Sequence, residues 1–469
     1  MYTPNKKHRS VKIFDFSENL EKLKDKSIFP LSCADSYNFC QESGALKDGL
    51  GVAELAFTVN GKKIVPKVPL DVEIEKAYFY KKYDDEKGEY DNRLLVYCSD
   101  TYIYQLKLNE IESGFEKTIL TFPDVPSGLN YKLNGEDVFM FSARYGIVVF
   151  RGDTYTNHTA PRVTSMCING ERLFITTDGE QSTLWFSAHF DPTNWYVSLD
   201  KAGFIDFQDG LGKLKKVVSF NGSVYVFRDT GITRVVGHYD QQSFYAQNLE
   251  AARDRIYSSS VTECGNQIIY LTEKGFVAFS GDSFYPIMAG LAPILQNVDN
   301  SNAHGAYYGG KLYMAVKVKI DNQIEDRIIC YDVQSGNYYL VKGIKARQFL
   351  PIYHDYNKLA IVVGENLKLG EVSEVAKCFD ENLKKVWKMN AGNFGIMSEK
   401  TISKLSVKTQ GDIIIDIKSD YIAKRIAING KNTVQHFIVG VRGNEFEISI
   451  EASDISSYIP QLSFEILYE

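Results

Sequence analysis

No stretch of this sequence stays apolar for anything near the roughly 20 residues that a membrane-spanning helix needs. Its polar opening, MYTPNKKHRS, has no signal-peptide core. The expectation is a chain made in a cytoplasm, with no membrane partner. Cysteine is sparse and scattered: Cys33, Cys40, Cys98, Cys167, Cys264, Cys330 and Cys378 are odd in number and contain no C-x-x-C pair. That spacing encodes neither a zinc nor a dithiol redox site. Several of them close apolar runs such as LLVYC and RIIC, where a thiol packs as a small hydrophobe and suits a reducing compartment. The histidines, at 8, 158, 189, 238, 304, 354 and 436, never reach metal-ligand spacing. G-x-S-x-G elbows, P-loops and H-E-x-x-H helices are missing too. No cofactor, no metal and no catalytic residue is expected.

Proline is scarce at 12 residues and tryptophan at three, while 30 Tyr, 28 Phe and 35 Gly are plentiful. Aromatic residues favour pleated, half-buried surfaces and glycine supplies the turns between them, so the composition points to all-β. A length of 469 residues calls for two or three folding units. The formal net charge of −6 argues against a globally basic nucleic-acid binder. The local run Lys6, Lys7, His8, Arg9 reads as a solvated N-terminal tail.

One grammar recurs seven times: an Asn- or Gly-bearing turn, an apolar strand, a polar break, a second strand. It starts at Asp91, Asn134, Asn169, Asn221, Gly265, Gly309 and Tyr356, as in NGSVYVFRDTGITRVVG. The steps run roughly 35 to 52 residues and average about 44, the spacing of propeller blades. Asn-Gly and Gly-Gly accept the positive φ angles of a two-residue hairpin. Several of these turns are preceded by another strand candidate, and the second strand is followed by room for an outer one. The predicted fold is therefore an all-β propeller of about seven blades over 76–378, with an appended antiparallel β domain at 379–469. That last part is sandwich-like, because runs such as Phe446, Ile448, Ile450 alternate cleanly. Residues 1–75 form an N-terminal extension, in which 51–68 offers a strand to close the last blade.

Asp178, Asp191, Asp206, Asp209 and Asp229 are candidate carboxylates for glycoside hydrolysis, but 59 acidic residues make candidates inevitable. Ser187, His189 and Asp191 are near in sequence, which gives no triad geometry. AHFDPTNW superficially resembles a sialidase Asp-box, yet it lacks the ordered glycine and threonine and occurs once. The tripeptide RGD at 151–153 lies at a hairpin end, and the acidic run YDDEKGEYDN reads as an exposed hairpin tip.

The stretch 182–237, STLWFSAHFDPTNWYVSLDKAGFIDFQDGLGKLKKVVSFNGSVYVFRDTGITRVVG, resembles the β-propeller proteins of tailed-phage virions, the tail nozzle and packaged-DNA stabilisation types. The match runs through Trp185, Phe186, Ser187, Asp191, Pro192, Trp195, Gly203, Asp209, Gly210, Phe220, Gly222, Phe227, Gly231 and Gly237. SYNFCQESGALKDGLG near the start and KTISKLSVKTQGDIIIDIKSD near the end are similar to such proteins as well. The resemblance implies a non-enzymatic virion structural protein of the tail. It would self-associate into a ring, with portal, adaptor or other tail proteins as partners and packaged DNA close by. Its motif residues, Trp185, Ser187, Asp191, Pro192, Trp195, Gly222 and Gly231, are structural: Trp185 packs between blades, Asp191-Pro192 starts a turn and Trp195 caps it. The alternative is a carbohydrate-binding or glycoside-hydrolysing propeller. A monomeric peptide-binding scaffold is a third option.

Overall fold

The computed structural model describes residues 7–13 and 33–468, apart from 43, 60, 68–71, 86, 145, 200, 238–239, 250–253, 354–355, 365–367, 390–391 and 455. Within them, seven blade sheets follow one another, six of them with all four strands in chain order and the seventh with its first three. Their first strands are Ile74–Tyr80, Gly128–Leu133, Val163–Asn169, Leu214–Phe220, Ile256–Cys264, His304–Tyr308 and Ala346–Ile352. Blade 2 meets the first strand of blade 3 through Glu136–Ala143, and first strands of neighbouring blades touch at the other six of the seven junctions, blade 7 with blade 1 included. Gln348 completes that last junction by exchanging side-chain bonds with both backbone groups of Ala77, at 2.7 and 2.8 Å. The result is a closed, seven-bladed β-propeller.

Blade 7 takes its fourth strand from the start of the chain. Gly51–Glu54 runs antiparallel to Lys368–Ser373, with Val52 opposite Val372. Val52 is buried with Leu359 and Ile361, so the closing strand is held by packing as well as by its ladder. Between blades, aromatic rings fill the wedge. Tyr78 meets Phe141 edge-on at 5.3 Å, and Phe227 meets Tyr270 at 5.4 Å.

The hairpin turns follow from their residues. Asn134-Gly135, Asn221-Gly222 and Gly309-Gly310 all have positive φ at both positions. In blade 3 the turn sits one residue later than NG implies: Gly170 and Glu171 carry the positive φ, and Asn169 pairs with Arg172. Asn169 is kept in its strand by Ser219, whose hydroxyl donates to Oδ1 at 3.0 Å. The acidic run folds as a small hairpin, Tyr83–Asp84 with Glu89–Tyr90. In RGD, Asp153 pairs at 3.2 Å with Arg93, which is almost fully buried and also pairs with Asp91 at 2.6 Å.

Blade 4 repeats that device. Arg228, 1% exposed, pairs with Asp209 at 2.7 Å and donates to Gly212 O. Those Arg228 bonds, with Leu211 N–H and Asn248, hold the Asp209 carboxyl down at about 2 against the opposing effect of burial. Its stabilising contribution is complete above the unfolded value near 3.9 and is lost as pH falls towards 2. An Asp209→Asn chain should therefore lose less stability than the parent between about pH 4 and 2 in urea titrations. Equal losses would contradict the assignment.

Two further sheets form a sandwich. One orders Phe39–Glu42, Ala45–Asp48, Tyr458–Tyr468, Lys400–Gln410 and Val434–Gly443. The other orders Cys33–Tyr37, Lys385–Met389, Phe446–Ala452, Ile413–Ser419 and Ala423–Ile428. Leu405, Phe464, Ile415 and Ile448 share one core between them. The basic opening is corrected here: Lys7–Ile13 is a strand paired with Tyr458–Tyr468, although Lys7 and Arg9 still face solvent.

Asn38 rivets sandwich to propeller. Held at φ 62, it bonds Leu340 O and both backbone groups of Lys342 on blade 6, and Lys384 O on the linker, at 2.7 to 3.0 Å. Beside it Lys385, wholly buried, pairs with Asp48 at 2.7 Å.

Candidate interaction site

Residues 187–202 are inserted between the outer two strands of blade 3, Thr183–Phe186 and Gly203–Asp206. The inner side of this loop is fastened by polar bonds. Ser187 is fully buried, its hydroxyl accepting from Leu173 N–H and donating to Ala188 O, both at 3.0 Å. Arg172 spans the loop's two ends, donating to Ser187 O at 2.8 Å and Lys201 O at 2.6 Å. Asp191 opens the turn: its Oδ1 accepts from Thr193 N–H at 3.1 Å and from Thr193 Oγ1 at 2.6 Å, and its carbonyl accepts from Asn194 at 3.2 Å. Pro192 is buried beneath it.

Both tryptophans lean on the core shared by blades 2 and 3, where Met140, Val149 and Leu173 meet. Trp185 also lies 5.2 Å from the Phe204 ring and donates to Glu180 Oε2 at 2.7 Å. The structure thus brings Trp185, Ser187, Asp191, Pro192 and Trp195 into one fastening. Gly222 and Gly231 lie apart from it, in blade 4 turns. Gly222 needs its φ of 72, and Gly231 leaves room for Leu211, which a Cβ would meet at 3.0 Å.

The outer side of the same loop is apolar. Phe190, Tyr196 and Leu199 are 60%, 70% and 65% exposed, and Val197 and Phe204 are exposed beside them in sequence. Phe190 sits at φ 59, a backbone region that aromatic residues rarely enter, and its N–H is held by Glu171 O at 2.9 Å. Strain of this kind persists only where the surroundings fix it, and it gathers at functional surfaces. Gln241 of blade 4 braces the loop tip through Ser198 O at 2.7 Å. The motif residues named from the sequence do not include Phe190, Tyr196 or Leu199. The signal was there in YVSL, an apolar run following an Asp-Pro turn with no partner strand.

The candidate carboxylates are committed elsewhere. Asp178 pairs with Arg162 at 3.0 Å, Asp206 accepts from Thr183, Asp209 holds Arg228, and Asp229 accepts Lys213 N–H at 2.8 Å. Burial, and then the Arg172 charge, pushes His189 below its ordinary value. No group of three or more His, Cys, Asp or Glu able to hold a metal ion occurs among the described residues. On the first strands of blades 1 and 4, Lys76 and Lys216 donate to Pro126 O and Val261 O, at 3.1 and 2.8 Å. Burial pushes both down to about 8, and for Lys216 the charge of Lys76 adds to it. No described helix is long and apolar enough to cross a membrane.

No family model matches the chain, and no curated protein matches it. Similar solved structures include BBS1N in complex with ARL6DN, soaked with lead, at 10% identity and TM-score 0.43, covering 68% of this chain and 97% of that one. Hsv2 of Kluyveromyces lactis is similar at 9% identity and TM-score 0.35, covering 63% and 93%. YCF48 bound to D1 peptide follows at 10% and 0.31, covering 54% and 94%. All three are β-propellers.

Proposed function

We propose that this chain is a structural subunit of a tailed-phage virion, in the tail nozzle or portal-exit connector, that self-associates into a ring and helps retain or conduct packaged DNA. The observation that carries the reading is the loop at 187–202, bolted down on its inner side and apolar on its outer side. A rigid apolar rim is a surface built for another protein. Portal, adaptor or tail proteins and further copies are the partners, and the resemblance of 182–237 names the setting. The closed propeller supplies stiffness against packed DNA, and the riveted sandwich turns two domains into one lever.

Light scattering and negative-stain imaging, alone and with portal or adaptor rings, test it. The parent is expected to form rings or dock onto them. A Tyr196→Glu/Leu199→Glu chain should lose association by about 2 kcal/mol or more while melting as before, since both side chains are exposed. A parent that stays monomeric beside those rings sinks the reading. The same exposed aromatics suit the stacking faces of sugars, so stabilisation by an oligosaccharide would move the assignment to the carbohydrate class.

A further inference from the structure

We propose that the blade 3 loop of one copy docks, head to tail, on the far edge of the sandwich of a second copy. The inference rests on the self-association proposed above and names the two surfaces that carry it.

The sandwich has a covered edge and a bare one. Phe39–Glu42 and Cys33–Tyr37 lie against Tyr338–Val341 of blade 6. Val434–Gly443 and Ala423–Ile428 end the two sheets on the opposite side, and no further strand pairs with either among the described residues. Lys424 blunts the gap by donating to Ile438 O and Val439 O, at 3.0 and 2.7 Å. The side chains there stay apolar and bare: Ile438 is 86% exposed, and Tyr421 and Ile422 are exposed just before Ala423–Ile428. Met397, 83% exposed, belongs to the same end. Asn444 donates to Tyr421 Oη at 3.1 Å, and Lys400 reaches both Asn444 O and Ser398 O. A bare apolar edge of this kind invites another chain.

Charge says which chain. From 421 to 443 the sequence holds Lys424, Arg425, Lys431 and Arg442 and no Asp or Glu, within a chain of net charge −6. All four are exposed, with Arg425 and Arg442 partly met by Asp416, Glu451 and Glu399. Around the blade 3 loop the balance is reversed. From 171 to 209 the basic residues are Arg172, which is buried, and Lys201. Asp178 and Asp209 are spent on Arg162 and Arg228, which leaves Glu171, Glu180 and Asp206 exposed beside Phe190, Tyr196, Leu199 and Phe204. One surface is apolar and acidic, the other apolar and basic, which sets register and partner choice.

The two surfaces cannot meet within one chain. Asn38 fixes the sandwich to blade 6, and Gly51–Glu54 leads from it into blade 7. Blade 3 is three blades away from both, as far as a ring of seven allows. Unlike patches on opposite sides of a subunit make a heterologous contact, which repeats into a closed ring when the rotation closes.

Light scattering tests this with a Met397→Glu/Ile438→Glu chain and the Tyr196→Glu/Leu199→Glu chain, singly and mixed. Each alone is expected to stay monomeric and to melt as the parent does, because every replaced side chain is exposed. Mixed in equal amounts they should give a dimer and nothing larger, since each keeps the surface that the other has lost. The parent's own association should weaken about tenfold or more between about 0.05 and 0.5 M NaCl. A far-edge variant that assembles like the parent overturns this inference and leaves self-association standing. So does a mixture without dimer, or association that salt leaves unchanged. A parent that never self-associates overturns both.

Discussion

A Gly51→Val chain is expected to lose the closure of blade 7, with stability falling by more than about 4 kcal/mol. A Cβ at Gly51 would stand 1.8 Å from Val375 O and 2.5 Å from Lys377 O. Both are backbone atoms, so no side chain can swing aside. On its other edge Gly51 pairs with Ser373, and the next residue, Val52, accepts from Phe379 N–H at 2.7 Å. The strand is clamped from two directions. Relief comes only by leaving, which strips blade 7 of its outer ladder and pulls Val52 out of its core. Urea midpoints measure the loss, and hydrogen exchange at Lys368–Ser373 locates it. Gly51→Ala should fall in the same direction by less. A valine chain within about 0.5 kcal/mol of the parent would mean that the closing strand carries no weight.

The second large effect belongs to Asp48→Ala, at about 3–5 kcal/mol. Lys385 is fully buried and holds Asp48 Oδ1 at 2.7 Å, and the same oxygen accepts Ser457 N–H at 3.0 Å. Removing the carboxylate strands an ammonium group in the interior with little beyond the Asp454 carbonyl. That is far worse than removing both partners, because the cost lies in the orphaned charge. The double variant Asp48→Ala/Lys385→Met should therefore recover much of the loss in denaturant titrations. If the double variant were as unstable as the single one, the pair would be acting through shape rather than charge.

These two sites divide what was legible in the sequence from what was not. The blades were legible because each is a local object. Asn134-Gly135 and Asn221-Gly222 announce hairpins whose strands lie within ten residues of the turn, and positive φ leaves little choice of residue. Sandwich strands such as Phe446–Ala452 were legible through strict alternation of buried and half-buried positions. Cys33–Tyr37, Phe39–Glu42 and Ala45–Asp48 carry no such mark. They are four or five residues long; Phe39–Glu42 pairs only with neighbouring Ala45–Asp48, and the strands that tie Cys33–Tyr37 and Ala45–Asp48 into the sandwich, Lys385–Met389 and Tyr458–Tyr468, lie hundreds of residues away. Periodicity reports on a residue's own strand and says nothing of a distant ladder. The same limit governs the interaction loop. Asp191-Pro192 declares a turn, but whether Tyr196 and Leu199 face inward or outward depends on Arg172 and Gln241, which hold the loop at Lys201 O and Ser198 O from elsewhere in the chain.

The pairing of Val52 with Val372, and of Leu46 with Ile459, also sets a timetable. Strands made early in this stretch are completed by strands made hundreds of residues later. At 5–20 residues per second, the roughly 320 residues separating Val52 from its partner take on the order of 20–60 s to synthesise. Throughout that interval blades 1 to 6 can form behind an unlatched ring. A chain cut short by premature termination would hold most of its blades yet have no closed propeller and no sandwich. Synthesis of Lys368–Ser373 and Tyr458–Tyr468 and completion of the two domains become one event, so a chain that has not reached those strands presents neither a closed propeller nor a finished sandwich.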